Sequence, residues 1–335
     1  MPKIVSIGEV MMRLSPPGKQ RLRQATGFDI LYSGSEANVT AALAGWGMHG
    51  VHVTRFPDNP LGHAALASLR ERGMDTRYIQ MEGERLGLYF VENGAMTRPS
   101  AICYDRLPSA FSTAGAGIFP WDEILDGASW FHWSGITPAL SRGAADALLE
   151  ALDICRQKNI TVSADINFRS GLWRYGASPG EVMAPMVAMS QVVVASENDT
   201  AGIFGISAVE GEEPFASVSG QMKERFPAIT CMISSVRENI TASHNRLSGI
   251  MWNEGRLTRS KTYDLDPIVE RIGSGDAFMA GFIHASLQSW PDGRRIEFAT
   301  AAAAFKHSLE GDILFASPGE IQELADGSGG GQIKR

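Results

Sequence analysis

Cysteine, long apolar runs and basic residues are all scarce in this sequence. Its three cysteines, Cys103, Cys155 and Cys231, lie far apart and form no CxxC pair, which argues against a zinc ribbon or a disulfide framework. No segment approaches the roughly 18 consecutive apolar residues that a membrane-spanning helix requires. The N-terminus also lacks the cationic leader, apolar region and cleavage site of a signal peptide. These absences predict a soluble protein of a reducing, cytoplasmic compartment.

Basic residues are too few for nucleic acid to be the main partner. The chain of 335 residues has 30 Lys and Arg against 37 Asp and Glu, a net charge of −7. Binding to a phosphate backbone needs clustered basic side chains. Hydrophobic residues make up 44%, which is enough for a sizeable core. We therefore expect a globular protein whose partners are small molecules, with neither nucleic acid nor a membrane among them.

Apolar segments alternate with amphipathic ones along most of the chain. This alternation is typical of a mostly parallel sheet covered by helices on both faces, and the predicted fold class is α/β. Ligands bind such sheets beyond the carboxyl ends of the strands. The predicted strands are 3–10, 51–55, 129–134, 160–166, 191–195 and 229–234, and the predicted helices are 36–46, 60–73, 141–158, 275–290 and 293–309.

Two segments, 11–35 and 87–116, interrupt the alternation with short strands and turns. A small β-sheet inserted into the α/β body would explain both segments. The alternative is a pair of long surface loops, although loops of more than about 12–15 residues are uncommon in compact domains. We expect one domain over 1–325 and a flexible glycine-rich tail over 326–335.

The sequence Gly273-Ser274-Gly275-Asp276 leads into an apolar segment that predicts a buried helix. Glycines at a helix start allow backbone N–H groups to surround an anion, which the helix dipole also favours. Asp276 would lie beside that anion and could accept a proton from an attacking hydroxyl. The four residues alone are equally consistent with a carboxylate that only stabilises the helix N-terminus.

A second glycine motif, Gly45-Trp46-Gly47-Met48-His49-Gly50, matches GxGxxG by letter. A dinucleotide-binding motif follows a strand and begins a helix. Here a predicted helix precedes the motif and a predicted strand follows it, so the order is reversed. This disfavours a nicotinamide oxidoreductase, and the glycines instead predict the end of a helix. The chain also has no GxxxxGK[ST] motif.

Two arginines could bind a substrate carboxylate. Arg169 comes just after a predicted strand, and Arg106 follows Tyr104 in the proposed small sheet. A guanidinium group binds a carboxylate through two parallel hydrogen bonds. The alternative is two surface ion pairs, which the sequence alone favours.

Both glycine-rich regions resemble the signatures of the PfkB family of sugar kinases, which have a ribokinase-like fold. Gly273 to Phe278 resemble the C-terminal signature of the family, GxGD followed by a small residue and Phe. Gly34 to Ala44 resemble its N-terminal signature, a glycine-rich turn followed by Asn and an alanine-rich helix. The resemblance covers essentially the whole chain. It implies that the inserted sheet is a lid and that the protein forms a homodimer or a higher homo-oligomer.

Within the family, the chain is most similar to 2-keto-3-deoxygluconate kinases. The segments Phe131 to Ser141 and Asp165 to Arg169, with Leu172-Trp173, resemble theirs. The resemblance implies that Asp276 is the base acting on the 6-hydroxyl of the sugar. The residues implied to bind the acid sugar are Gly34, Tyr89, Tyr104, Arg106, Ile136, Arg169, Asp276 and Asp312.

The resemblance also implies ATP and Mg²⁺. ATP would lie across 235–243, and the residues implied to contact its phosphates are Gly273, Ser274, Gly275, Ser235 and Arg237. Where the family has N-x-x-E, this chain has Ser196 to Asp199, so Asp199 would hold Mg²⁺ through water. Glu270-Arg271-Ile272 stands where the family has Asp-Thr or Asp-Pro, a departure near any monovalent-cation site.

The expected reaction is ATP-dependent phosphorylation of 2-keto-3-deoxygluconate to the 6-phosphate. One alternative is a PfkB kinase for another sugar, such as fructose, ribose or a nucleoside. Another is a sugar-binding regulator that has lost catalysis, which the departures at Ser196 and Glu270 leave open.

Overall fold

The computed structural model describes residues 1–327. Its strands in chain order are β1 (Lys3–Ile7), β2 (Met11–Ser15), β3 (Asp29–Ser33), β4 (His49–Val53), β5 (Arg55–Phe56), β6 (Gln80–Met81), β7 (Leu88–Glu92), β8 (Ala101–Asp105), β9 (Trp130–Ser134), β10 (Thr161–Asp165), β11 (Val192–Val194), β12 (Cys231–Asn239), β13 (Asn245–Asn253), β14 (Arg256–Arg259) and β15 (Tyr263–Leu265).

The helices, in the same order, are α1 (Ser35–Gly45), α2 (Pro60–Glu71), α3 (Trp121–Ile124), α4 (Ile136–Leu140), α5 (Arg142–Gln157), α6 (Pro179–Val187), α7 (Glu197–Phe204), α8 (Pro214–Arg225), α9 (Ser274–Leu287), α10 (Asp292–Lys306) and α11 (Pro318–Ala325). No helix within residues 1–327 has both the length and the apolar character to cross a membrane.

The main sheet has nine strands in the order β14-β13-β12-β11-β10-β9-β1-β4, with β15 beside β13. From β4 to β12 the strands are parallel, and β13, β14 and β15 are antiparallel additions at one end. Alternate residues of each strand face opposite sides of the sheet. Phe131 and Trp133 therefore pack with α5, α6 and α8 on one face, while Ile4 and Trp130 pack with α1, α9 and α10 on the other. The predicted α/β fold is confirmed.

A separate four-stranded sheet has the order β3-β2-β7-β8. Its strands come from the two segments that interrupt the alternation, so the predicted small β-sheet is confirmed and the two-loop alternative is wrong. The predicted bounds extend too far at the end of the second segment. Phe111, which lies within 87–116, is buried in the core of the α/β body, because a large apolar side chain gains more there than on the edge of a small sheet.

The order of elements around Gly45 is the one expected from the sequence. Helix α1 ends at Gly45, Gly47 has a positive φ of 82°, and β4 begins at His49. The glycines therefore end a helix and do not begin one.

Two predicted strand boundaries differ notably from the structure. The strand predicted at 3–10 ends at Ile7, where Gly8 lies so close to Glu36 that a Cβ would meet its Oε2 at 2.2 Å. The strand predicted at 229–234 continues as β12 to Asn239 and pairs with β13. The predicted tail, 326–335, lies outside the described residues from 328 onward.

Candidate active site

One cleft of about 480 Å³ lies between the four-stranded sheet, the carboxyl ends of β10 and β11, and the N-termini of α1 and α9. This is the edge at which a parallel sheet binds ligands. All of the residues predicted for the site line the cleft, namely Gly34, Tyr89, Tyr104, Arg106, Ile136, Arg169, Asp199, Ser235, Arg237, Gly273, Ser274, Gly275, Asp276 and Asp312.

Asp276 lies in the first turn of α9 and faces the cleft. Its two carboxylate oxygens accept hydrogen bonds of 2.7 Å from the Ser35 hydroxyl and the Asn38 amide, both on α1. Burial raises the pKa of Asp276 to about 7, against the lowering effect of those two bonds, and the negative charges of Asp312 and Glu36 raise it further. A group with this pKa can accept a proton near neutral pH.

The turn before α9 depends on a glycine. Gly273 has a φ of +83°, and a Cβ at this position would lie only 1.7 Å from the carbonyl oxygen of Asp312. Both the backbone conformation and the contact therefore exclude any larger residue. The turn places the N–H groups of the first helical turn, which have no intrahelical partners, at the cleft.

Three acidic residues that the prediction did not assign also line the cleft: Glu9 after β1, Asp165 at the end of β10 and Glu36 in α1. Burial raises the pKa of Asp165 to about 8, and the negative charges of Asp276, Asp199 and Glu36 add to this effect. Burial also raises the pKa of Glu36, although Ser134 and Thr137 donate hydrogen bonds to it. The position of Asp165 at the carboxyl end of a predicted strand was the available signal in the sequence.

The carboxylate of Asp312 is turned toward buried protein groups. Its Oδ2 accepts hydrogen bonds from Ser33 and Tyr89, and its Oδ1 accepts one from Arg13. Burial raises the pKa of Tyr89 well above its usual value, and the negative charge of nearby Asp312 raises it further. The phenol therefore stays protonated. Asp312 therefore orients Tyr89 in the cleft.

The two predicted carboxylate-binding arginines differ in the structure. Arg106 is buried, and its Nε and Nη2 both donate to Oε2 of Glu9, which also accepts a hydrogen bond from Ser109 through Oε1. Arg169 is exposed at the cleft, and only its Nε has a hydrogen bond among the described residues, of 3.0 Å to Asn167. The available guanidinium is therefore that of Arg169, and Arg106 is neither a free partner nor a surface ion pair.

The predicted phosphate-contacting groups lie around the start of α9. Arg237, on β12, donates a 2.6 Å hydrogen bond from Nη2 to the hydroxyl of Ser274. Ser235 lies two residues earlier on the same strand and also lines the cleft. A cation and the N–H groups of a helix N-terminus are thus adjacent, an arrangement suited to a phosphate group.

The cleft suits a divalent cation that is bound mainly through water and phosphate. Within residues 1–327 no three His, Cys, Asp or Glu side chains are placed to hold a metal directly. Asp199 accepts hydrogen bonds at Oδ2 from the backbone and hydroxyl of Ser196, as part of the N-terminal cap of α7. The crowding of Asp165 with Asp199 and Asp276, which raises the pKa of Asp165, would be relieved by a cation there. Mg²⁺ commonly uses only one or two carboxylates in this way.

Known proteins match this chain in both sequence and fold. Residues 1–230 match the model of the pfkB family carbohydrate kinases. The solved structure of 2-dehydro-3-deoxygluconokinase from Thermotoga maritima is 39% identical, with a TM-score of 0.93 over 97% of this chain and 100% of that one. The 2-dehydro-3-deoxygalactonokinase of Haloferax volcanii is 28% identical over 98% of both chains. A sugar kinase from Pyrococcus horikoshii in complex with ATP, 20% identical, shares the fold, with a TM-score of 0.73 over 95% of this chain and 96% of that one.

Proposed function

The chain belongs to the pfkB family of carbohydrate kinases, and from this premise we propose that it phosphorylates 2-keto-3-deoxygluconate (2-dehydro-3-deoxygluconate) at its 6-hydroxyl with ATP. The observation that carries the proposal is the position of Asp276, in the first turn of α9 and facing the same cleft as Arg169. A base, unpaired backbone N–H groups and a cation for a sugar carboxylate therefore share one cavity.

In the proposed reaction, the 6-hydroxyl oxygen attacks the γ-phosphorus of ATP. Asp276 accepts the hydroxyl proton, a bond forms between that oxygen and phosphorus, and the bond to the β–γ bridging oxygen breaks to leave ADP. The N–H groups at Gly273 to Gly275 and the Arg237 guanidinium stabilise negative charge on the transferring group. The P. horikoshii kinase of the same fold is in complex with ATP, which supports ATP as the donor.

Mg²⁺ is part of the proposal, with Asp199 and Asp165 as the carboxylates that would hold it. When bound, the ion neutralises phosphate charge. The cytoplasmic location and the homo-oligomer expected from the sequence are also part of the proposal.

The proposed substrate is an acid sugar because Arg169 presents a guanidinium to the cleft. The names of the T. maritima and H. volcanii relatives both specify 2-dehydro-3-deoxy sugar acids, which differ from each other in sugar configuration. The proposed roles of Gly34, Tyr89, Tyr104 and Ile136 are contacts with this sugar. Arg106 and Asp312 contribute by shaping the walls around it, because their charged groups already have protein partners.

The test is a substrate panel in an assay of ADP release. With Mg²⁺ and ATP, we expect kcat/KM for 2-keto-3-deoxygluconate to exceed the values for fructose, ribose and nucleosides. The galacto-configured acid is included to determine the configuration preferred. A higher kcat/KM for a neutral sugar would replace the proposed substrate, and no ADP release with any sugar would favour a sugar-binding regulator.

The Arg169→Ala variant tests the carboxylate contact. We expect it to lower kcat/KM for the acid sugar by about 10²-fold, and for a neutral ketohexose by much less, because a charged hydrogen bond contributes about 1.5–3 kcal/mol. The matched control is Arg156→Ala, since Arg156 is exposed on α5, pairs with Asp153 at 2.9 Å and is not among the residues that line the cleft. Equal losses for acid and neutral sugars would contradict the contact.

A further inference from the structure

Arg13 lies on β2, between β3 and β7 in the four-stranded sheet, and is not among the residues that line the cleft. Its side chain is only 3% exposed. All three guanidinium nitrogens have partners: Nε donates to the Ser15 hydroxyl at 2.8 Å, Nη2 to Glu270 Oε2 at 2.6 Å, and Nη1 to Asp312 Oδ1. One buried cation therefore joins the small sheet to two acidic residues from distant parts of the chain.

The carboxylates of Glu270 and Asp312 each contact a different part of the cleft wall through their second oxygen. The other oxygen of Glu270 accepts hydrogen bonds from the backbone N–H groups of Arg271, at 2.9 Å, and Ile272, at 3.3 Å, which lead directly into Gly273. The other oxygen of Asp312 accepts from the Tyr89 hydroxyl, and the backbone carbonyl of Asp312 lies against Gly273. Movement of either carboxylate would thus change the turn at 273–276 or the position of Tyr89.

The charges make Arg13 necessary for this arrangement. Glu270 and Asp312 are 6% and 3% exposed, and two buried carboxylates without a paired cation repel each other and lose hydration. Lys306 is also fully buried, and its charge acts on Glu270 and Asp312, but its Nζ donates to the Leu309 carbonyl at 3.2 Å and pairs directly with neither carboxylate among the described residues. Among the described residues, Arg13 is the cation that contacts both carboxylates.

We propose that Arg13 is a positioning residue for phosphoryl transfer, which holds the turn at 273–276 in register with Tyr89 by bridging Glu270 and Asp312. The proposal rests on the proposed kinase function and adds a residue that touches neither substrate. A displacement of about 1 Å at a reacting group can lower a rate by about 10²-fold. Loss of Arg13 should therefore lower kcat more than it weakens substrate binding.

A cavity of about 460 Å³ beside this cluster is lined by Arg13, Glu270 and Asp312. A small cation from solution can therefore reach the space that the Arg13 side chain fills. This permits a test by chemical rescue, in which an added small cation replaces the missing guanidinium. A variant that had merely lost its fold would not regain activity in this way.

The experiment compares Arg13→Met, Arg13→Lys and Arg13→Ala with the wild-type enzyme, with whichever sugar the wild type phosphorylates fastest. We expect Arg13→Met to lower kcat by about 10–10²-fold, with KM for sugar and ATP within about threefold of wild type. Arg13→Lys, which keeps the charge, should be less impaired. Millimolar methylguanidinium should restore part of the kcat of Arg13→Ala and should leave the wild type unchanged.

The matched control is Arg21→Met. Arg21 belongs to the same inserted segment, but it is largely exposed and, within residues 1–327, its Nε pairs only with Glu92, at 2.9 Å. Unchanged kcat in folded Arg13→Met, an increase confined to KM, or no rescue of Arg13→Ala would overturn the proposal. Failure of all three variants to fold, measured by circular dichroism, would also overturn it by making Arg13 purely structural. A wild type without activity on any sugar would instead contradict the proposed function.

Discussion

At the scale of single residues, the site depends on crowding acidic groups into one desolvated cleft. Asp165, Asp199 and Asp276 line it together, and Glu36 lies beside them. Burial and neighbouring negative charge both disfavour ionisation, which accounts for the pKa values of about 8 for Asp165 and about 7 for Asp276. An aspartate with its ordinary pKa would be a much weaker base at neutral pH.

Asp276→Asn removes the proposed base and keeps the shape of the side chain. We expect kcat to fall by about 10²–10⁴-fold, because an amide cannot accept the hydroxyl proton, while sugar binding measured by calorimetry is retained. Asp292→Asn is the matched control, since Asp292 occupies the first turn of the next helix, α10, away from the cleft. A kcat near that of wild type for Asp276→Asn would remove Asp276 from its role.

Ser35→Ala should shift the acidic limb of the pH profile upward. A base with a pKa of about 7 loses activity as the pH falls through that value, because the carboxylate becomes protonated. The Ser35 hydroxyl stabilises the ionised carboxylate through its 2.7 Å hydrogen bond. Its removal therefore raises the pKa of Asp276, and the limb of kcat/KM should move up by about 0.5–1 pH unit. A limb that stays in place or moves downward would contradict this assignment.

At the scale of elements, the N-terminus of α9 is fixed by its packing against α1 and α10 and by the turn at Gly273. The helix is buried along most of its length, from Ala277 to Ala285. This rigid support keeps the N–H groups of its first turn aimed at the cleft, so little reorganisation is needed when charge develops there.

Substitution by alanine should have different effects on stability at Gly273 and at Gly275. Gly273→Ala places a Cβ 1.7 Å from the Asp312 carbonyl at a φ of +83°, so we expect a loss of stability of at least about 2 kcal/mol and a lower kcat. Gly275→Ala meets no protein atom within 4 Å and lies within the helix, where alanine is favoured. Its melting temperature should match or exceed that of wild type. Equal melting temperatures for the two variants, measured by calorimetry, would contradict the packing described for Gly273.

The elements that the sequence predicted well are those with strong periodicity or buried apolar runs. Helices α5 and α9 and strands β9 and β10 lie within a few residues of their predicted bounds. Helix α7 was missed because its apolar pattern is weak, although Ser196 and Asp199 form a capping box at its start, a signal that the sequence contained. Strands β13 to β15 were missed because none of them is a continuous buried apolar run. Strand β13 pairs with β12, and β14 and β15 pair with β13, so these strands are defined by their neighbours more than by their own residues.

The candidate site was predicted more completely than the contacts within it. The glycine-rich turn before Asp276 and the two arginines came from the residues themselves, and the family resemblance added the other groups, all of which line one cleft. The sequence could not reveal that Glu9 accepts the hydrogen bonds of the Arg106 guanidinium. It also could not reveal that Arg13 bridges Glu270 and Asp312. The residues of these pairs are 97 to 299 positions apart in the chain. Such contacts depend on how the small sheet lies against the α/β body.

At the scale of the whole molecule, the small sheet forms one wall of the cleft and leaves part of its own surface open. All five residues of β8 are exposed, and this edge strand pairs only with β7 among the described strands. Its side chains Ile102 and Tyr104 line the cleft. Closure of this sheet over bound substrates would exclude water from the transferring phosphoryl group and limit hydrolysis of ATP.

Amide hydrogen exchange can measure this closure. Saturating acid sugar with a non-hydrolysable ATP analogue should slow exchange in β8, because closure covers a strand that is exposed along its whole length. Strand β14, at the far edge of the main sheet, is the internal control, and its exchange should not change. The sugar alone should protect β8 less than both ligands together if closure needs the two substrates in place. Exchange in β8 that is unaffected by both ligands would show that the small sheet is a fixed wall and not a lid.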